Sequence, residues 1–425
     1  MFNFKITTND CIKCGKCIPT CTIHNVNMDE VTSPRGFLDL LGAYQRGDLE
    51  LDKNAKDIFE SCFLCTNCVD ICPNDLPVDM LIEQVRDDIR KKYGLAWYKK
   101  LFFWLLRHRK VMDLLAKLGY VFQTCGFKIH EQQSSMEPRF SMPIIKKDRL
   151  LPSAKSKSFL NSHPDVIKNG GKGKVGIFIG CLANYTYTDI GKSLLEILKV
   201  LQIDAYLIKQ QLCCGAPAYF TGDFDTVDYL AKHNIEYMES FMDELDAVII
   251  PEATCSAMIK VDYAHFFHDK PEWKNRAQKL SPKIYMATEY LEKCTDLKKI
   301  LAEKNHKMSE IITYHDPCHA RKMQGIYKEP RELISQNYML KEMSDPNRCC
   351  GFGGVTIQTE KYHLAKAAGM PKAAMIKESK ADIVSAECSA CRMQITNSLF
   401  QDSAQEIIFK NPIELIAKAL KAEKV

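Results

Sequence analysis

The stretch NRCCGFGG, Asn347 to Gly354, sets two cysteines side by side and follows them with three glycines in four positions. Adjacent cysteines can close only a strained disulfide ring, well inside the usual Cα separation for a bridge. Glycine lets the backbone turn freely and come close to a neighbour. The stretch therefore reads as a loop built around an object.

A second such pair, Cys213 and Cys214 in QLCCGAP, shows that the loop is one half of a repeat. VGIFIGC, ending at Cys181, answers EIITYHDPC, ending at Cys318, and DAVIIPEATC, ending at Cys255, answers ADIVSAEC, ending at Cys388, at a nearly constant offset. Strand-like apolar runs lead straight into these cysteines, and helix-like segments such as DTVDYLAKHNIEYMESFM and KYHLAKAAGMPKAAMIKE lie between them. That alternation predicts two α/β units with parallel sheets, over residues 173–302 and 303–425. Ligands collect outside the carboxyl ends of such strands. Cys318, Cys349, Cys350, Cys388 and Cys391 would converge in the second unit, and Cys181, Cys213, Cys214 and Cys255 in the first. Five thiols in one place point to a metal cluster. A thiol-exchange pair of Cys388 and Cys391 is the alternative, and it leaves Cys318, Cys349 and Cys350 unexplained. His315, Asp316 and His319 flank Cys318 and are candidate donors to cluster sulfurs. Cys125 and Cys294 stand alone and read as buried structural cysteines.

The first 92 residues carry a sharper signal. Cys11, Cys14, Cys17 and Cys21 read C-x-x-C-x-x-C-x-x-x-C, and Cys62, Cys65, Cys68 and Cys72 repeat the spacing with Pro73 behind them. In two-cluster ferredoxins the fourth cysteine of each run ligates the other cluster. Cluster 1 would take Cys11, Cys14, Cys17 and Cys72; cluster 2 would take Cys62, Cys65, Cys68 and Cys21. Structural zinc also uses paired C-x-x-C ligands, but gives no reason for a three-residue step before a proline. About forty residues with helical periodicity separate the runs, which favours an all-helical ferredoxin domain over residues 1–92. Two 4Fe-4S clusters sharing ligands in this way lie within about a nanometre of each other and pass single electrons.

Composition sets the outer bounds. The chain has 425 residues, 46% hydrophobic and 26% charged, with a net charge of +5, and most of its nineteen cysteines fall into groups that recur at short or regular spacing. That favours metal over disulfides, hence a reducing, cytoplasmic compartment. The first residues, MFNFKITTNDC, do not read as a secretory leader. No run reaches the roughly 18 apolar residues of a membrane span. Membrane contact would be peripheral, through residues 93–127: from Arg86 to Lys110 nine Lys or Arg stand against two Asp, with Trp97, Phe102, Phe103 and Trp104 interleaved. A helix in the membrane interface and a core-packing helix both fit this arm. No nucleic-acid motif is present, so no nucleic-acid partner is expected. Residues 128–172 are polar and proline-punctuated and read as a linker. GKGKVG, Gly171 to Gly176, formally matches a dinucleotide fingerprint but precedes a strand instead of following one. A flavin or nicotinamide would then belong to another polypeptide.

Taken together these motifs resemble a known group: a twin-cluster ferredoxin domain followed by two CCG domains. The group includes the iron-sulfur subunit of glycolate oxidase, its lactate-utilisation relatives, the iron-sulfur subunit of anaerobic glycerol-3-phosphate dehydrogenase and the CCG-containing subunit of heterodisulfide reductase. TSPRGFLDLL is similar to the glycolate and lactate type, ECSACRMQ to the glycerol-3-phosphate and heterodisulfide types. The resemblance implies a noncubane 4Fe-4S cluster on the five cysteines of the second CCG domain. In the first, Met258 stands where the fifth cysteine would be. The four that remain fit a cubane cluster, a degenerate site or a share in a joint one. The resemblance further implies an electron-transfer subunit that takes electrons from an FAD-dependent dehydrogenase and passes them toward membrane quinone at the inner face of the cytoplasmic membrane. The alternative it implies is a heterodisulfide or thiol reductase.

Overall fold

The computed structural model describes residues 8–142, 145–304 and 306–422. Up to residue 126 the described residues form helices and turns without a strand. Their starts are encoded locally. Ser33 accepts a hydrogen bond from the Gly36 amide at the head of helix Pro34–Arg46, Pro34 fills its first position, and Gly47 closes it in a left-handed turn. Asp52 caps helix Lys53–Glu60 in the same way. Helix Val78–Tyr93 buries Leu81, Ile82, Val85 and Ile89 against these helices. It also buries Glu83, Arg86 and Asp87, because it is wedged between the N-terminal domain and the rest of the chain.

Twelve strands follow among the described residues. β5 (Lys174–Ile177), β6 (Asp204–Leu207), β7 (Ala247–Ile250) and β8 (Ile284–Met286) are parallel and run in the order β6-β5-β7-β8. The second unit repeats the plan with β9 (Ile311–Tyr314), β10 (Met339–Leu340), β11 (Ile383–Ser385) and β12 (Ile408–Lys410), all parallel, in the order β10-β9-β11-β12. The units share one core. Leu194, Ile197 and Leu198 of helix Asp189–Leu201 pack with Ile413, Ile416 and Leu420 of helix Pro412–Lys421.

Two segments differ from their compositional reading. Residues 128–172 are not a free tether. β1 (Phe127–His130), β2 (Ser135–Pro138) and β3 (Leu151–Pro152) make a small antiparallel sheet, and β4 (Val166–Ile167) adds an antiparallel edge strand to β6. Arg149 donates to Gln358 Oε1 at 3.0 Å, and the Leu150 amide donates to Asn397 Oδ1 at 2.9 Å, so side chains of the second unit hold the segment down. The basic arm divides. Helix Trp97–Arg107 turns Phe103 and Leu106 into the core of the first unit and buries Lys99, which donates to Thr356 Oγ1 at 3.0 Å and pairs with Glu360 at 2.7 Å. Helix Arg109–Gly126 buries no residue and leaves Leu114, Leu118, Val121 and Phe122 exposed. The core-packing reading therefore holds for the first helix, and the second presents an exposed apolar face.

The N-terminal domain docks through Arg86. Its guanidinium, 2% exposed, donates to the carbonyl oxygens of Phe59 at 3.0 Å, Cys62 at 2.6 Å and Phe220 at 2.6 Å. Gly222 makes that approach possible. It sits at φ +83°, and a Cβ there would lie 2.4 Å from the Arg86 carbonyl carbon. Gly222→Ala is expected to cost about 1–3 kcal/mol and to raise amide exchange along Val78–Tyr93. A urea unfolding curve matching the parent's would contradict this close contact.

Candidate iron-sulfur centres

The N-terminal cysteines fall into two hollows. One is lined by Cys11, Cys14, Cys17 and Cys72, the other by Cys21, Cys62 and Cys65, with Cys68 on the wall of both. The fourth cysteine of each run thus stands with the three of the other. Burial and then neighbouring thiols raise the Cys17 thiol, and among those neighbours are Cys11, Cys14 and Cys72. Cys21 is likewise raised by burial and by Cys65 and Cys62. The loops carry a signal that sequence reading missed. Lys13 and Leu64, each third in a C-x-x-C, adopt left-handed conformations at φ 54° and 50°, rare for side chains of this size. This turns the Leu64 amide onto Cys62 Sγ at 3.4 Å. Thr22, which follows Cys21 as Pro73 follows Cys72, sets its hydroxyl 3.3 Å from Cys65 Sγ.

In the second α/β unit, Cys318 and Cys388 sit just beyond the carboxyl ends of β9 and β11. Cys350 Sγ lies 3.6 Å from Cys391 Sγ; Cys349 Sγ accepts from the Gly351 amide and Cys388 Sγ from the Cys391 amide, each at 3.4 Å. His315 Nδ1 meets the Pro346 carbonyl at 3.2 Å, while its buried Nε2 has no partner. That ring, Cys350 and Cys391 bring ligand atoms within 4.8 Å of one another. Lys372 is fully buried beside the cysteine pair, and its ammonium donates to the carbonyls of Asp345 at 2.7 Å and Pro346 at 3.3 Å. Burial brings it down to about 8, against the pull of Asp345, Cys350 and Cys349. Asp316 is not a donor to sulfur: Arg321 and Arg331 hold its two oxygens at 2.5 Å each. Cys125 and Cys294 are exposed, not buried.

In the first unit Cys181, Cys213, Cys214 and Cys255 form an unbroken series of thiol contacts, Cys181 to Cys213 to Cys214 to Cys255. Gly180 stands so close that a Cβ would lie 3.1 Å from Cys255 Sγ. Met258 is completely buried at the place of the absent fifth thiol.

These groups adjoin one another. Cys68 borders both N-terminal hollows. Cys65 contacts Cys349 of the second unit, a contact that, together with burial, raises its thiol well above the usual range. Cys388 faces the first unit, with Thr254 Oγ1 3.8 Å from its sulfur. The thiols make one file through the protein, from Cys11 to Cys181. Crowded thiols of this kind, largely withdrawn from water, suit metal, which displaces their protons and takes up the charge.

The glycines of the opening loop also find their reason. Gly351, at φ +87°, faces helix Tyr362–Ser379: a Cβ would lie 2.8 Å from the Gly369 nitrogen. Gly353, at φ +66°, faces the N-terminal domain, where a Cβ would lie 2.7 Å from Phe63 Cδ1. The object on the glycine side is protein, and the thiol side faces the other cysteines. Gly351→Ala is expected to cost about 1–3 kcal/mol and to expose Cys349 and Cys350. Their labelling by a maleimide in metal-free protein should speed up; labelling at the parent's rate would show that the loop tolerates the side chain.

A family described as a 4Fe-4S dicluster domain matches residues 7–76, and one described as a cysteine-rich domain matches twice, at 175–260 and 312–396. The chain is 28% identical over 403 residues to the probable glycolate oxidase iron-sulfur subunit of Bacillus subtilis, covering 91% of this chain and 88% of that one. It is 27% identical to one of the subunits of the CoM/CoB fumarate reductase of Methanothermobacter marburgensis, over 96% of this chain and 72% of that one. Lactate utilization protein A of Geobacillus kaustophilus is 32% identical over 225 residues, 52% of this chain and 90% of that one. The two thiol runs, the two matched repeats and these relatives agree: this chain belongs to the family of iron-sulfur proteins that join a 4Fe-4S dicluster domain to paired cysteine-rich domains.

Proposed function

We propose that this chain is the electron-transfer subunit of an oxidoreductase complex, taking electrons from a partner flavoprotein dehydrogenase of the glycolate, lactate or glycerol 3-phosphate type and passing them one at a time toward quinone. The observation that carries this reading is the file of thiol groups, each bordering the next across domain boundaries. In it Cys11, Cys14, Cys17 and Cys72 hold one 4Fe-4S cluster, and Cys62, Cys65, Cys68 and Cys21 the second. Cys318, Cys349, Cys350, Cys388 and Cys391 hold a noncubane cluster, which His315 and Lys372 flank. Cys181, Cys213, Cys214 and Cys255 offer a four-thiol site at the far end. Clusters supply one-electron storage; the chain supplies thiolates, amide donors and a dry setting, which tune their potentials. The names of two relatives add support, one being a probable iron-sulfur subunit of glycolate oxidase and the other a subunit of the CoM/CoB fumarate reductase.

A second reading rests on the 3.6 Å apposition of Cys350 and Cys391. Contacts from Cys349 and Cys391 bring the Cys350 thiol down, toward the thiolate that thiol chemistry uses. In that case the second unit would itself reduce a disulfide. Turnover of a disulfide by the purified, metal-loaded chain with an artificial donor separates the readings, because a conduit shows none.

The crosswise assignment has a direct test. Anaerobically prepared protein should hold about eight irons in the N-terminal domain. By electron paramagnetic resonance, Cys72→Ser should damage the cluster of the first run and Cys21→Ser that of the second. Loss confined in each case to the variant's own run would refute the assignment.

The complex is proposed to meet the membrane peripherally, through the exposed faces of both arm helices; no helix among the described residues is long and apolar enough to cross a bilayer. Exposed Trp97, Leu101, Trp104, Leu118 and Phe122 share the two arm helices with exposed Lys100, Lys110 and Lys117. Each Lys near an anionic surface contributes about 1 kcal/mol. Replacing the three lysines with Gln should release the protein from anionic vesicles in sedimentation. Lys99 and Arg107 are unsuitable for the test, because the first pairs with Glu360 and the second donates to Thr226 Oγ1. Undiminished sedimentation of the triple variant would dismiss the arm as a membrane contact.

A further inference from the structure

A cavity of about 380 Å³ opens where the N-terminal domain meets both α/β units. Its walls are Asp79 and Glu83 of helix Val78–Tyr93, Phe220, Asp262, and His319 and Lys322 of helix Cys318–Gln324. Leu64 and Thr66, which flank Cys65, also line it, and His319 follows Cys318 directly. The cavity therefore lies against two of the thiol groups at once.

Three features mark it as a site for a ligand and not a packing defect. Asp262 is 6% exposed, yet its Oδ2 has no hydrogen-bond partner. It ends a wide π-helical turn, Met258–Asp262, which sets Val261 and Asp262 on the cavity wall. Such turns recur at functional sites. Phe220 and His319 stack at 5.3 Å and 19°, a flat wall beside the carboxyls. Glu83 is 5% exposed, with the Tyr219 hydroxyl as its hydrogen-bond partner. Burial raises both Glu83 and Asp262, which shifts each toward the protonated form that can donate. The charged and titratable groups around them are Asp70, Asp75, Asp79, Arg86, Tyr219, His265, His319 and Lys322. Arg86 is bound to three carbonyls, and Lys322 to the Cys65 carbonyl and Asn67.

We propose that this cavity binds the head group of a quinone-class acceptor and that Asp262 and Glu83 protonate it as it is reduced. The inference rests on the electron-transfer reading above and gives that transfer its exit. The two electrons, delivered one after the other, would come from clusters held by the neighbouring thiols and reduced by the partner flavoprotein. Each carbonyl oxygen becomes a hydroxyl as one carboxyl O–H bond breaks and one new O–H bond forms, and the two carboxylates regain protons from water at the cavity's open side. The volume suits a single ring with a short tail.

The test uses the full, metal-loaded chain, reduced anaerobically, freed of reductant by desalting, and mixed in a stopped-flow cell with a short-chain quinone or with ferricyanide. Quinone should reoxidise the clusters of the parent chain. Asp262→Asn removes a proton donor and should slow that reaction about a hundredfold. Val261→Trp fills the cavity and should slow it as strongly. Both variants should react with ferricyanide, which needs no proton and no cavity, at the parent's rate. Quinone reoxidation at the parent's rate in both variants overturns the proposal, as does equal slowing with ferricyanide. A parent chain that ferricyanide reoxidises and quinone does not overturns it too, and leaves the electron-transfer reading standing. Clusters that neither oxidant reaches would contradict that reading itself.

Discussion

The contact between the Cys65 and Cys349 thiols is the constraint around which the rest of the chain is arranged. One thiol belongs to a loop of the N-terminal domain, the other to a loop nearly three hundred residues later. For the two to touch, the N-terminal domain and the second unit must meet at fixed distance and angle, and Ile357, Tyr362 and Ala365 of the second unit pack into the N-terminal core. Electron transfer between metal centres needs the same thing. Much of the buried charge in the protein serves this seam. Arg86 satisfies carbonyls on both of its sides, Lys361 reaches from the second unit to Ser61 Oγ at 3.1 Å and to the Asp57 carboxylate, and Lys322 holds Asn67. A buried cation with incomplete partners costs several kcal/mol. Each of these is bonded on the far side of the seam, so separating the domains would strand it.

The two α/β units are joined by an exchange that follows from their repetition. Glu252 stands two residues beyond β7, and Glu387 two residues beyond β11. Glu252 accepts from the Ser389 amide at 2.7 Å and from its hydroxyl, while Glu387 accepts from Thr288 in the other direction. Burial lifts the two carboxyls to about 7 and about 8. Each repeat thus donates the same carboxylate to its neighbour, and the helix-starting loops that carry Cys255 and Cys388 are fixed against each other. Repetition here lets one side chain do the same work twice at a single interface.

The arm and the segment after it show how far composition misleads at a boundary. Basic and aromatic residues between 93 and 127 read as one unit, but their periodicity places Phe103 and Leu106 on an inward face and Leu118 and Phe122 on an outward one. Residues 128–172 have the composition of a tether and are held by backbone pairing and by Arg149, contacts that depend on distant partners such as Gln358 and Asn397.

The repeat, the strand-to-cysteine order and the grouping of thiols into runs were legible in the sequence, because each depends on spacing along the chain. Metal-ligand spacing and the periods of strand and helix are local properties, so residues such as Cys11 to Cys21 and Cys62 to Cys72 announce themselves. The tertiary structure alone decided what the glycines of NRCCGFGG are for, since Phe63 and Gly369 come close only after folding. It alone brought Lys372 and His315 to the paired cysteines, bound Asp316 to two arginines, and enclosed Glu83 and Asp262 in one cavity. The reason is physical. A buried charge or an unpartnered polar atom gets its meaning from neighbours that the chain brings from far away, and no pattern of spacing records them.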